Sequence, residues 1–203
     1  MFITFEGIDF CGKSTQVVLL ANYLKNSGKS VVTIREPGGT VISEKIRDIL
    51  LDKKNKEMFV EAELLLFSAS RAQLVREVIL PKLKSGFFVL SDRFHDSSIA
   101  YQGYGRGINL DHVTKIQEFA IGTAIPDKTF FIDIPIEEME KRKHQFTFES
   151  LDRIEVSKNR FYEKVRKGYL KLAETHDRFI VIDGTQTIEQ IHNQIIKNIF
   201  RVE

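Results

Sequence analysis

The sequence predicts an α/β architecture: a central, mostly five-stranded parallel sheet flanked by helices in three layers. Three observations predict it. Short, apolar, β-prone runs recur at residues 2–5, 31–34, 87–90, 129–132 and 179–182. Helix-patterned segments separate them, at residues 14–26, 41–51, 62–84, 111–121, 136–143, 153–175 and 188–200. The strands are apolar throughout rather than alternating, as strands covered on both faces are. A chain of 203 residues is long enough for one well-buried domain and short for two, so residues 1–203 read as a single domain.

Composition narrows the function. Hydrophobic residues at 42% with 29% charged residues are ordinary for a globular protein. Thirty basic against 28 acidic residues leave +2, so no global field points to nucleic acid or an anionic membrane as a partner. The single Cys11 rules out an internal disulfide and suits a reducing compartment. There is no basic segment leading into an apolar one at the N-terminus and no apolar run of transmembrane length, so a cytoplasmic location is expected.

Along the chain, Phe2-Ile3-Thr4-Phe5 forms the first strand. Gly7-Ile8-Asp9-Phe10-Cys11-Gly12-Lys13-Ser14-Thr15 follows and fits the pattern G-x-x-x-x-G-K-[ST]. Val17, Leu20, Ala21 and Leu24 then recur at helical spacing until Gly28, a C-terminal cap. Strand, glycine loop and helix together make a P-loop, whose amides and helix N-terminus cradle a polyphosphate. In such a P-loop NTPase fold, Lys13 reaches the β/γ-phosphates of a nucleoside triphosphate and Ser14 holds Mg²⁺.

Parallel sheets bind ligands beyond the carboxyl ends of their strands, which selects loops 7–14, 35–40, 92–96, 133–135 and 183–187. Arg35-Glu36-Pro37-Gly38-Gly39-Thr40 is a turn by composition, with two charges placed at the strand edge. Arg47 either faces the same cleft or pairs at the surface with Glu44 or Asp48. Asp92 suits Mg²⁺ or its waters, and Arg93 can grip a phosphate bidentately. Asp133 is a competing metal carboxylate, ranked lower because Pro135 follows and no arginine adjoins it.

Phe67 and Arg71 lie one helical turn apart, so an aromatic ring and a guanidinium share a face that can stack and address a base, unless Phe67 is simply core. Ser98, Tyr101 and Gln102 likewise share a face just after Asp92-Arg93. Arg142 and Arg153 bracket residues 143–152, a polar, basic connection that reads as a lid or as a solvated loop. The alternating charges of residues 153–171 mark an exposed helix face rather than a nucleic-acid surface.

Taken in order, these motifs resemble the thymidylate kinase family over nearly the whole chain. The resemblance rests on Phe5-Glu6-Gly7-Ile8-Asp9 into Gly12-Lys13-Ser14-Thr15, on Arg35 to Thr40, and on Leu66-Phe67-Ser68-Ala69-Ser70-Arg71. Asp92-Arg93, Ser97-Ser98-Ile99-Ala100-Tyr101-Gln102-Gly103, Pro126-Asp127 and Leu151-Asp152-Arg153-Ile154-Glu155 complete it. It implies phosphoryl transfer from ATP to dTMP with Mg²⁺, in a homodimer. It further implies that Asp9 faces the 3′-hydroxyl, Phe67 stacks on thymine, and Arg71, Ser98 and Gln102 address the thymine edge. Tyr101 crowds C2′; Arg93, Arg47 and Arg35 hold the monophosphate beside Glu36 and Pro37; Arg142 lies against the adenine or phosphates of ATP.

The chain departs from the family pattern at Phe10, where glycine or arginine is usual, at Cys11, where alanine or serine is common, and in a lid without arginine from Lys143 to Ser150. Arg153, assisted by Arg142 or Lys143, is therefore expected to meet the transferring phosphoryl group together with Lys13 and Arg93. Cys11 stands beside a helix N-terminus, a setting that can lower a thiol pKa, and the sequence leaves its sensitivity to oxidants open. Three rivals remain: a deoxynucleoside kinase using Glu36 as base, a kinase for another monophosphate, and a switching nucleotide binder, although the guanine motif Asn-Lys-x-Asp is missing.

Overall fold

The computed structural model describes residues Met1–Phe200. Five parallel strands, Phe2–Glu6 (β1), Val31–Arg35 (β2), Phe88–Asp92 (β3), Lys128–Asp133 (β4) and Phe179–Asp183 (β5), line up in the order β2-β3-β1-β4-β5. The order changes direction at β1, so the loop leaving β1 opens into the crevice where such sheets take ligands. Register puts Phe5 of β1 beside Asp92 of β3, and Asp92 beside Arg35 of β2, so three loops leave the sheet at one level.

Both faces are covered. On one, Leu20, Ala21 and Leu24 of α1 (Lys13–Asn26) pack with Ile3, Phe5, Phe130 and Ile132. On the other, Leu74 of α3 (Val60–Leu74) joins Phe2, Ile34, Val89 and Phe94. Gly28 follows α1 at φ 73°, and its N–H closes on the Lys25 carbonyl at 2.9 Å, the cap that the sequence indicates. Thr40 caps α2 (Val41–Leu51) by accepting from the Ser43 N–H at 3.1 Å.

Two helix boundaries differ from the sequence expectation. The segment expected at 62–84 runs as α3, a π-helical stretch Val75–Ile79, and α4 (Leu80–Lys84). Pro81 lacks the N–H that would continue a regular ladder there. The helix expected from 153 begins at Asn159 (α8, Asn159–Thr175), because the Asp152 carboxylate accepts from the N–H groups of Ile154 and Glu155 at 2.7 and 2.9 Å. That side chain offers the backbone a turn in place of a helical start.

Between β3 and β4, α5 (His95–Ser98) runs into a π-helical stretch Ile99–Gly105 and then α6 (Leu110–Ile121). The π stretch lies so close to α8 that a Cβ on Gly168 would stand 2.8 Å from the Tyr104 ring. After β4 come α7 (Ile136–Lys143), the 3₁₀ turn Phe148–Ser150 and α8; α9 (Ile188–Ile199) follows β5 behind a Thr187/Gln190 capping box.

Candidate active site

A cleft of about 930 Å³ opens above the carboxyl ends of the strands. Loops 7–14, 35–40, 92–96 and 183–187 contribute to it. Loop 133–135 does not: Asp133 is engaged by Arg166 of α8 at 2.6 and 2.8 Å, so it is no competitor for a metal in the cleft.

The P-loop forms one end. Gly7 sits at φ 143°, and a Cβ there would stand 2.5 Å from the Ile132 carbonyl, so only glycine passes β4 at this distance. Phe10 adopts φ 63°, a left-handed conformation without glycine, and its ring lies 5.2 Å from that of Phe146 in the lid segment. Lys13 folds over the loop, its Nζ donating to the carbonyls of Gly7 and Ile8 at 3.2 and 2.9 Å. Asp9, Phe10, Cys11, Gly12, Lys13, Ser14 and Thr15 all line the cleft, whereas Gly7 and Ile8 present only backbone behind it. Cys11 is only 1% exposed, packed in the main core beneath Lys13, and this burial removes the exposed thiol that oxidation requires.

Ser14 Oγ donates to Asp92 Oδ2 at 2.5 Å, bringing a hydroxyl and a carboxylate together beside the P-loop lysine. The next residue, Arg93, turns into the cleft from a left-handed backbone at φ 70°. Its NH2 donates to Asp9 Oδ1 at 2.6 Å and to the Tyr101 hydroxyl at 3.0 Å, and its guanidinium lies 4.8 Å from the Tyr101 ring centre. Asp9 also accepts from the hydroxyls of Tyr101 and Tyr162, at 3.1 and 3.0 Å. Burial pushes the Asp9 carboxyl upward, but Arg93, Lys13 and the two hydroxyls outweigh it and hold the group below the usual carboxylate range.

Glu36, Pro37, Arg47, Phe67, Tyr101 and Gln102 form the opposite wall. Arg47 donates to the Pro37 carbonyl at 2.8 Å; the surface partner of Glu44 is Arg35 instead, at 2.9 Å. Arg71 and Ser98 do not reach the cleft surface. Arg71 is 1% exposed, and its guanidinium meets Glu36 at 2.6–2.7 Å, Ser98 at 2.9 Å, the Phe94 carbonyl at 3.1 Å and Gln117. With its donors engaged within the protein, it stands behind the wall and holds Glu36 in it.

The lid side divides the three cations named from the sequence. Arg142 lines the cleft, donating to the Gly184 carbonyl at 2.8 Å and to the Phe10 and Cys11 carbonyls at 3.4 Å. Lys143 donates to the Glu155 carbonyl. Arg153 turns away from the cleft, with its Nε on the Leu50 carbonyl at 2.7 Å and NH2 on Glu63 at 2.6 Å. Glu63 is buried and shared among Arg153, Arg106 and Gln102, a hub that the sequence did not single out. Gln16, Gln186, Thr187 and Ile188 also line the end beyond the P-loop and were likewise unassigned. Tyr162 and Tyr169 are seven apart on α8, a same-face spacing that was available as a signal.

A P-loop with an arginine at its flank, opening into one cleft with an aromatic residue in its wall, places the chain among P-loop phosphotransferases. Comparison with known proteins then fixes the family. The thymidylate kinase family model matches residues 5–195, and the chain belongs to that family. It is 55% identical over 196 residues to the thymidylate kinase of Thermosipho africanus, covering 96% of this chain and 95% of that one. It is 52% identical to the Kosmotoga olearia thymidylate kinase, over 97% and 94% of the two chains. The crystal structure of thymidylate kinase from Ehrlichia chaffeensis superposes with a TM-score of 0.78 at 36% identity, over 98% of each chain.

Proposed function

We propose that this protein moves the γ-phosphoryl group of ATP to dTMP, giving dTDP and ADP, a step of dTTP synthesis for DNA replication. The observation that carries this reading is the placing of two anion holders, Lys13 and Arg93, on one cleft with Phe67 in its wall. ATP lies along the P-loop with Arg142 against its adenine or phosphates. The monophosphate is held by Arg93 and Arg47, thymine rests on Phe67 within reach of Gln102, and Asp9 faces the 3′-hydroxyl with Tyr101 beside C2′. The chain acts as a single kinase unit, with residues 143–152 as its lid.

The acceptor needs no general base. A phosphate monoester has its second pKa at about 6, so at neutral pH dTMP is mostly a dianion and already nucleophilic. The work left is alignment and neutralisation of two anions through a metaphosphate-like transition state. Lys13, the loop amides and Arg93 supply positive potential, and Arg142 is the lid-side arginine positioned to add to it. A deoxynucleoside kinase would need a carboxylate base; Glu36 lines the cleft with Oε2 on Arg71 and Oε1 unpaired, so thymidine offered as acceptor separates the two readings.

The residues present fit a magnesium ion. The close pair of Ser14 hydroxyl and Asp92 carboxylate offers the hard oxygen donors that Mg²⁺ takes alongside phosphate oxygens. When bound with the triphosphate, the ion neutralises phosphate charge. We further propose that the chain is cytoplasmic and works as a homodimer through α3 and α6, where Leu65, Ala69, Ala72 and Ile116 line a groove beside Phe119, 83% exposed. Among the described residues no helix is long and apolar enough to cross a membrane.

The test is ADP release from magnesium ATP over a panel of dTMP, dUMP, UMP, CMP, AMP and thymidine. The reading expects dTMP to be the preferred acceptor and thymidine to be inert. Preference for thymidine, or hydrolysis of ATP indifferent to every acceptor, overturns it.

A further inference from the structure

We propose that Glu6 is a positioning residue for phosphoryl acceptance: through the hydroxyls of Ser97 and Tyr169 it sets the direction in which Arg93 faces the monophosphate. This rests on the reading that Arg93 holds that group. Glu6 ends β1 and is completely buried. Its Oε1 accepts from the Phe94 N–H at 2.7 Å, which pins the backbone one residue past the left-handed Arg93. Its Oε2 accepts from Ser97 Oγ at 2.7 Å and from the Tyr169 hydroxyl at 2.8 Å. Arg93 NH1 approaches those same two oxygens at 3.2 and 3.3 Å, and donates to the Gly7 carbonyl at 2.9 Å.

Proton counting gives the carboxylate its role. Each hydroxyl carries one proton and two lone pairs. When both protons go to Glu6, the two hydroxyls, 2.8 Å apart, are left with lone pairs that face each other and the guanidinium, whose NH1 approaches both. Arg93 is thereby gripped from two sides: directly by Asp9 at 2.6 Å, and by Glu6 through two relays. An amide of the same shape reverses the pattern. Its N–H groups donate to the hydroxyls, whose own protons then point toward each other or toward Arg93. Preorganised donors lose much of their effect when displaced by about an ångström, so reversal is felt in acceptor binding.

The surroundings of Glu6 agree. Burial, then the charge of Asp96 on α5, pushes its carboxyl up to about 7, and Ser97, Arg93 and Tyr169 oppose the rise. Asp96 is itself held by Arg178 at 2.7 Å on both oxygens. Those three groups limit the rise without reversing it, so near neutral pH the carboxyl is shared between its charged and neutral forms, and the double-acceptor arrangement belongs to the charged one.

The experiment measures KM for dTMP and for ATP in Glu6→Gln, Tyr169→Phe, their double variant and Arg93→Ala, each checked for folding by circular dichroism. Glu6→Gln is expected to raise the dTMP KM at least tenfold while the ATP KM stays within twofold. Tyr169→Phe is expected to raise it by about threefold and to add nothing on the Glu6→Gln background, since both act through one chain. If Arg93→Ala raises the dTMP KM and Glu6→Gln does not, or if Glu6→Gln raises both constants alike, the positioning role is overturned. If Arg93→Ala also leaves the dTMP KM unchanged, the monophosphate reading falls and takes this inference with it. Should Glu6→Gln fail to fold, Tyr169→Phe combined with Ser97→Ala decides: a selective rise in dTMP KM supports the relay, and an unchanged value overturns it.

Discussion

Arg71→Met separates a guanidinium that braces the cleft wall from one that touches the base. Arg71 and Glu36 are 1% and 2% exposed at the side chain and meet at 2.6 Å. Removing one partner of a buried ion pair typically costs about 3–5 kcal/mol, because the other charge is left without compensation. For a chain of this length that is a fall in Tm of roughly 6–20 °C, with no nucleotide present. Replacing both residues, Arg71→Met with Glu36→Met, removes the orphaned charge. Ser98, Gln117 and the Phe94 carbonyl still lose a donor, so the double variant stays about 1–3 kcal/mol below the parent. The pH dependence has a definite sign. Burial already raises Glu36, with Arg71 opposing; without Arg71 the folded-state value climbs further above the unfolded one. The folded variant then binds the extra proton, and its stability declines as pH rises above the unfolded carboxylate range. Urea unfolding at about pH 5 and about pH 8 should therefore show the larger deficit at the higher pH. A loss under about 1 kcal/mol for the single variant, or a double variant no more stable than the single, refutes the bracing role.

Two further outcomes are expected. Arg142→Ala removes the link between the P-loop carbonyls and Gly184, and should raise the ATP KM about tenfold, a loss of ~1.4 kcal/mol, with the dTMP KM within twofold; equal changes in both would contradict its place on the ATP side. His95 is held at about 4, first by burial and then by Arg178 and Arg71 against the pull of Asp96, so the unfolded chain binds its proton first. Stability contributed by neutral His95 is present above about 6.5 and lost as pH falls toward 4, by ~3 kcal/mol, and His95→Gln should flatten the unfolding free energy over that window; identical slopes would show that His95 is not the group.

The sheet was legible because its strands are short, apolar on both faces and separated by helices, which are local signals. The P-loop was legible because the eight residues from Gly7 to Ser14 lie in one run with their strand and helix. Boundaries escaped where polar side chains outbid apolar periodicity, as Asp152 does before α8. At the site, Asp9, Lys13, Ser14, Asp92 and Arg93 converge as their strand-end positions indicated. Arg71 and Arg153 did not follow, because a sequence shows the charge of a guanidinium and not which buried carboxylate claims it. Glu36 lies 35 residues from Arg71, and Glu63 lies 90 from Arg153; no periodic pattern joins such pairs. Glu6 and Glu63 escaped for the complementary reason, since a lone carboxylate on a strand or helix reads as solvated until its donors are in view.

Direct, in-line transfer between two nucleotides held in one cleft is tested most directly by the stereochemistry at phosphorus. With ATP carrying an isotopically chiral γ-phosphoryl group and dTMP as acceptor, a single displacement predicts inversion of configuration in dTDP. Retention would mean an even number of displacements through a phosphorylated side chain, and would contradict the arrangement of Lys13, Arg93 and the cleft between them.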